Sequence, residues 1–119
     1  MEADLLADLV LKGAKTATTS AYDLYALEDE PLPQEGTFDV ILDSQGQAIC
    51  IVEITKVSVQ PFHQVSADHA FKEGEGDKSL AYWRQVHEKF FTEWLEEAGL
   101  TFTPNSKVVL EEFRKVYPL

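Results

Sequence analysis

The run AICIVEITKVSV, from Ala48 to Val59, constrains the fold of this chain more than any other stretch. It is much shorter than the roughly 20 apolar residues that cross a membrane as a helix, and its β-branched residues favour an extended backbone. Side chains alternate across a strand, so Ile49, Ile51 and Val57 share one face while Cys50, Val52 and Ile54 share the other. A strand that is apolar on both faces is covered on both, which calls for a sheet curled into a barrel with a helix packed outside it. The preceding TFDVILD reads as its hairpin partner and SQGQ as the turn between them.

Leu5, Leu6, Leu9 and Val10 fall on one helical face, with Gly13 just beyond as the residue that ends the helix. TATTSAY is rich in β-branched and small hydroxyl residues and reads as extended, and the proline- and acid-rich LEDEPLPQEG reads as a loop. A short helix is expected from Phe62 to Lys72, followed by the acidic loop EGEGD. From Lys78 to Ala98 the residues Leu80, Trp83, Val86, Phe90, Trp94 and Leu95 mark a long amphipathic helix, with Asp77 as its N-cap and Gly99 at its end. The closing KVVLEEFRKVY fits a strand, although LEEFRK is equally good helix sequence. This order predicts one α+β domain over residues 1–119, a mostly antiparallel β-barrel flanked by helices. Regular strand–helix alternation is missing, which disfavours a doubly wound sheet.

A chain of 119 residues that is 45% hydrophobic can bury one core. Its net charge of −11 repels polyanions, so long duplex DNA is a poor partner, whereas a small nucleoside or a short single strand gripped locally is not excluded. The single cysteine, Cys50, sits in an apolar run and reads as a buried thiol. The start MEADLLADLV is acidic where a signal peptide would be basic, and no run is long enough to span a membrane, so a cytoplasmic location is expected.

The stretch LKGAKTATTSAYD looks like a phosphate loop, but Ala14 precedes Lys15 where glycine is required, and the segment follows a helix instead of opening one. The acidic loop is no EF-hand, because the sixth position from Glu73 is Lys78 and the twelfth is Arg84. Glu75 reads as part of a solvated linker, whereas Glu73, at the end of a helix, is able to point back into the molecule. His63, His69 and His87 have no metal-like spacing and read as surface or boundary residues, and neither a metal nor a cofactor is expected. Glu53 interrupts an apolar strand and is either the partner of a Lys or Arg or part of a polar pocket. Trp83 and Trp94 share the apolar stripe of the long helix as core residues, and Trp83, close to the acidic loop, has the alternative of stacking a base at a pocket rim.

Gly13, Lys15 and Thr18 form a G-x-K-x-x-T motif, followed in order by TATTS, PLPQEG, EGEGDKSLAYWR, HEKFF and VVLEEFRKVYP. On these motifs the chain resembles the ASCH family, named for homology to activating signal cointegrator. The resemblance implies a PUA-like barrel (the fold of pseudouridine synthases and archaeosine transglycosylases) with a cleft for a modified nucleoside or short single-stranded RNA. It also implies, from a smaller bacterial branch, hydrolysis of the acetyl amide of acetylated cytidine by a lysine, a threonine and a glutamate. These correspond to Lys15, Thr18 and Glu73, the last through the HA-x-x-E beginning at His69. Gly13, Thr19, Glu53 and Trp83 are the candidate ligand contacts around them. In a regular strand Lys15 and Thr18 point to opposite faces, so a bend between them is required. The alternatives are a non-catalytic RNA-binding or regulatory module, with Lys15 on a phosphate, and then a ribonuclease, as described for other members. The acidic balance favours a small substrate.

Overall fold

The computed structural model describes residues 3–118. Helix α1 (Ala3–Leu11) leads into strand β1 (Ala17–Ala21), helix α2 (Tyr22–Leu27), and the hairpin β2 (Phe38–Leu42) and β3 (Ala48–Pro61). A single 3₁₀ turn (Phe62–Gln64) precedes helix α3 (Ala67–Glu73), helix α4 (Leu80–Glu97) and strand β4 (Lys107–Tyr117). The four strands form one antiparallel sheet in the order β1-β4-β3-β2. Register shifts at Ile51/Val52 and Ile54/Lys56 bend β3, so the sheet curls into a half-barrel.

The curl sorts the apolar side chains into two clusters. One joins Val108, Leu110 and Ala21 of the sheet to Phe62, Trp83, Phe91 and Leu95, so that α4 covers one face. The other joins Val10 of α1 to Cys50, Val52, Ile54 and Phe113. Phe91 and Leu95 are buried to within 2% of completely, each contributing about 1.5–3 kcal/mol of transfer free energy. The antiparallel sheet curled around its core with helices outside is the expected architecture, and β4 is a strand along its full length because it pairs with β3 from Lys107 to Tyr117 and with β1 over Val108–Glu112.

Three elements differ from expectation. Tyr22 to Leu27 form a helix, taking Tyr22 from the expected extended segment and Leu27 from the expected loop, because Tyr22, Leu24, Tyr25, Ala26 and Leu27 carry no turn-breaking residue among them. The segment Phe62 to Lys72 is split, since Ser66 is an N-cap whose hydroxyl accepts from the His69 N–H and so starts α3 afresh. Likewise Ser79, not Asp77, caps α4, accepting from the Tyr82 N–H, while Asp77 accepts from the Ser79 N–H one step earlier.

Candidate active site

The site is built where the end of α3 docks on the segment joining α1 to β1. Gly13, at φ 81°, ends α1 in the left-handed region, and the chain turns Lys15 inward before β1 begins at Ala17. Lys15 therefore precedes the strand, and strand alternation does not separate it from Thr18. At the other side, Gly74 has φ 72°, and any Cβ there would collide with the Ala14 carbonyl. The Thr16 N–H also donates to the Lys72 carbonyl at 2.7 Å. These two backbone contacts set the last residue of α3, Glu73, against Lys15.

Lys15 is buried, and its ammonium donates to the Ala17 carbonyl at 2.8 Å, to Glu75 Oε2 at 3.1 Å and to Glu73 Oε1 at 3.3 Å. Glu73 is 1% exposed, yet both its oxygens are satisfied. Oε2 accepts from Thr19 Oγ1 at 2.7 Å and from the Trp83 indole, with His69 Nε2 at 3.3 Å. Oε1 faces Lys15 and, at 3.5 Å, His87 Nε2. Burial is the largest single influence on Glu73 and pushes its carboxyl up, but hydrogen bonds from His69 and His87 and the charge of Lys15 together outweigh it. The group is held well below the usual carboxylate range and stays ionised.

Lys15, Thr18, Thr19, Glu73 and Glu75 line one wall of a cleft of about 340 Å³, and Val86, His87, Phe90 and Trp94 of α4 line the other. Its size falls in the range of small-molecule sites, about 300–1,000 Å³, and suits a nucleoside better than a long strand. A second concavity of about 420 Å³, with Leu6, Val10, Val40, Leu42 and Phe113 around it, shares Lys15 and Thr18 with the first. Directly opposite Thr18 in the β1–β4 register stands Glu111, also buried. Burial first, and the negative charge of Asp39 second, push its carboxyl up, so it takes a proton more readily than an ordinary glutamate.

Of the residues singled out by sequence, Lys15, Thr18, Thr19 and Glu73 come together. Gly13 shapes the turn ahead of them and is exposed. The Glu53 carboxylate is taken up by Arg114 across β3 and β4, at 2.8 and 2.6 Å, so of its two readings the ion pair holds. Trp83 is 3% exposed and stacked between Phe62 and His87, which leaves its ring no open face for a base. Trp94, expected in the core, is instead 46% exposed and stacks on Phe90 at the cleft wall. Glu75 is no linker residue, since its side chain is 14% exposed and bound to Lys15. His69 is buried, His87 is the boundary residue that one of its two readings had, and both converge on Glu73. Sequence reasoning missed Phe90, His87 and Glu111. The i, i+4, i+8 spacing of Val86, Phe90 and Trp94 carries a signal for the cleft wall, but nothing local distinguishes it from a core stripe. Donor atoms of Glu73, Glu75 and His87 lie within 4.8 Å of one another, as metal ligands do, but the Lys15 ammonium already provides the positive charge between the two carboxylates.

A curled antiparallel sheet flanked by helices, with a charged cluster buried beside a cleft at its side, defines a PUA-like domain. The chain belongs to the ASCH domain family, whose model matches residues 1–117. The structure resembles the crystal structure of an ASCH domain from Lactobacillus crispatus with a TM-score of 0.91 and 44% identity, over 95% of this chain and 71% of that one. It resembles the crystal structure of a protein from Enterococcus faecalis with a TM-score of 0.87 and 41% identity, over 95% of this chain and 68% of that one. No protein of curated function matches the chain. The family is associated with RNA binding, and no helix among the described residues is long and apolar enough to cross a membrane.

Proposed function

We propose that this ASCH domain binds a modified nucleoside in the cleft beside the half-barrel and hydrolyses the amide of an acylated cytidine. The observation that carries the reading is that Lys15 and Thr18 line both concavities at once, one with polar and aromatic walls and one apolar. An acylated base has the same division, with a polar ring on one side of the amide and an alkyl group on the other. Phe90 and Trp94 offer the stacking surface for the ring, and the apolar concavity takes the acyl group.

In this scheme the Thr18 hydroxyl attacks the acyl carbon, Glu111 opposite it takes the released proton, and the Lys15 ammonium stabilises the oxyanion. Glu73 stays ionised, so it anchors Lys15 and orients the cluster and carries no proton itself. The alternative in which Lys15 grips an RNA phosphate ranks lower, because the cleft of about 340 Å³ suits a nucleoside and a net charge of −11 repels a polyanion. A ribonuclease ranks lower still, given the net charge of −11.

The test is release of cytidine from acetylated cytidine by the purified protein. Lys15→Ala is expected to lower kcat by about 10²–10³-fold, the effect of removing one oxyanion donor, and Thr18→Ala to abolish turnover. No release by the wild type overturns the reaction, and activity that survives both substitutions overturns the residue assignment.

A further inference from the structure

We infer that His87 is held as an imidazolium in the cleft and is the acid that protonates the leaving amine. The inference deepens the hydrolase reading, and rests on it for the chemical step only.

The two histidines on Glu73 differ in what their partners demand. His69 Nε2 lies 2.8 Å from Thr19 Oγ1 and 3.3 Å from Glu73 Oε2. The Thr19 hydroxyl gives its only proton to Glu73, so His69 Nε2–H donates, and a neutral ring with one proton meets every contact. His87 is constrained at both nitrogens. Nδ1 lies 2.9 Å from the Trp83 carbonyl, which only accepts, so Nδ1 carries a proton. Nε2 lies 3.5 Å from Glu73 Oε1, an ionised oxygen that also only accepts. A neutral ring would aim a lone pair at a buried carboxylate, whereas a ring with protons on both nitrogens is attracted to it.

The charges around the ring agree. Facing it are the carboxylates of Glu73 at the end of α3 and of Glu75 in the loop beyond, and the ammonium of Lys15 after α1. On its own helix Trp83 and Phe91 pack against it, and Arg84 is turned away to the His63 carbonyl. With Lys15 and His87 positive and Glu73 and Glu75 negative, the cluster is neutral. The Trp83 stack, at a 4.3 Å centroid distance, adds a cation–π contact to the charged ring. His87 nevertheless lines the cleft that Lys15 and Thr18 line and its side chain is 14% exposed, so the ring stands beside a substrate bound there.

The step balances. Thr18 Oγ bonds to the acyl carbon and passes its proton to Glu111. The C–N bond breaks, and the electron pair left on the amine nitrogen takes the proton from His87 Nε2. Water then attacks the acyl group, Thr18 regains its proton from Glu111, and the proton released by the water restores His87.

Nitrogen NMR of histidine-labelled protein decides the protonation state without substrate, because the chain has three histidines, each assignable by single replacement. At neutral pH both His87 nitrogens are expected to be protonated, and Glu73→Gln to return the ring toward a neutral state. An unprotonated Nε2 in the wild type overturns the inference. In the cytidine-release assay His87→Gln is expected to lower kcat by about 10²-fold or more with KM little changed. If the wild type releases no cytidine, the reaction falls and the acid role with it. If it does, and His87→Gln matches it in kcat, the acid role alone is overturned.

Discussion

Glu73 shows how one side chain takes its properties from its partners. Isolated in the core, its charge would cost several kcal/mol, but Thr19, Trp83, His69, His87 and Lys15 together offset that cost. Its carboxyl lies lower in the folded chain than in the unfolded one, so between the two values the unfolded state binds more protons and stability rises with pH. The contribution is complete above about pH 4.3, the ordinary glutamate value, and is lost as the pH falls below it. Glu73→Gln is therefore expected to cost roughly 3 kcal/mol at pH 7, with the difference from wild type shrinking in denaturant titrations run at successively more acid pH. An equal loss at every pH would mean that packing, not charge, makes Glu73 necessary.

At the scale of elements, the site depends on how closely the end of α3 approaches the α1–β1 junction. Gly74 and Gly46 both have positive φ, 72° and 77°, so replacing either by alanine incurs the same kind of backbone strain, about 1 kcal/mol. Only at Gly74 would the new methyl meet another backbone, the Ala14 carbonyl, whereas at Gly46 nothing lies within 4 Å. Gly74→Ala is expected to lower stability by at least about 1 kcal/mol more than Gly46→Ala, and to impair cytidine release, because α3 must back away and take Glu73 with it. Comparable melting temperatures for the two variants would show that the junction yields freely. Helix α4 gives the complementary lesson. Its apolar positions look like one stripe in sequence but divide in space: Trp83, Phe91 and Leu95 face the core, and Val86, Phe90 and Trp94 face the cleft. His87 sits one turn from both Trp83 and Phe91, within the core stripe, which is why it reaches a buried carboxylate.

For the whole molecule the governing quantity is the excess of 21 acidic over 10 basic residues. Repulsion among exposed carboxylates is screened as salt rises from about 0.01 to 0.15 M and the Debye length falls from about 30 to 8 Å. Exposed pairs such as Lys12 with Asp8 lose strength too, but each is worth only about 0.2–1 kcal/mol. Repulsion wins, so the melting temperature is expected to climb over that salt range. A flat or falling trend would mean that the surface ion pairs outweigh the net charge.

Apart from α2 and the break before α3, the helix–strand order was legible in the sequence, as were the hairpin, the long amphipathic helix and the helix end at Gly13, because periodicity and turn chemistry are local properties of neighbouring residues. Lys15, Thr18 and Glu73 could be named through motifs alone. Their convergence, and the recruitment of Thr19, His69, Glu75, His87 and Glu111, depend on contacts that run from 14 positions apart, as for Glu73 and His87, to 60, as for Lys15 and Glu75, or that cross between strands. No local pattern encodes which side of α4 meets the core, or which lone pair an imidazole turns toward a carboxylate. Those were settled by the packing of α3 and α4 around the curled sheet, since burial makes every polar group find a partner and only the assembled fold decides which partner is within reach.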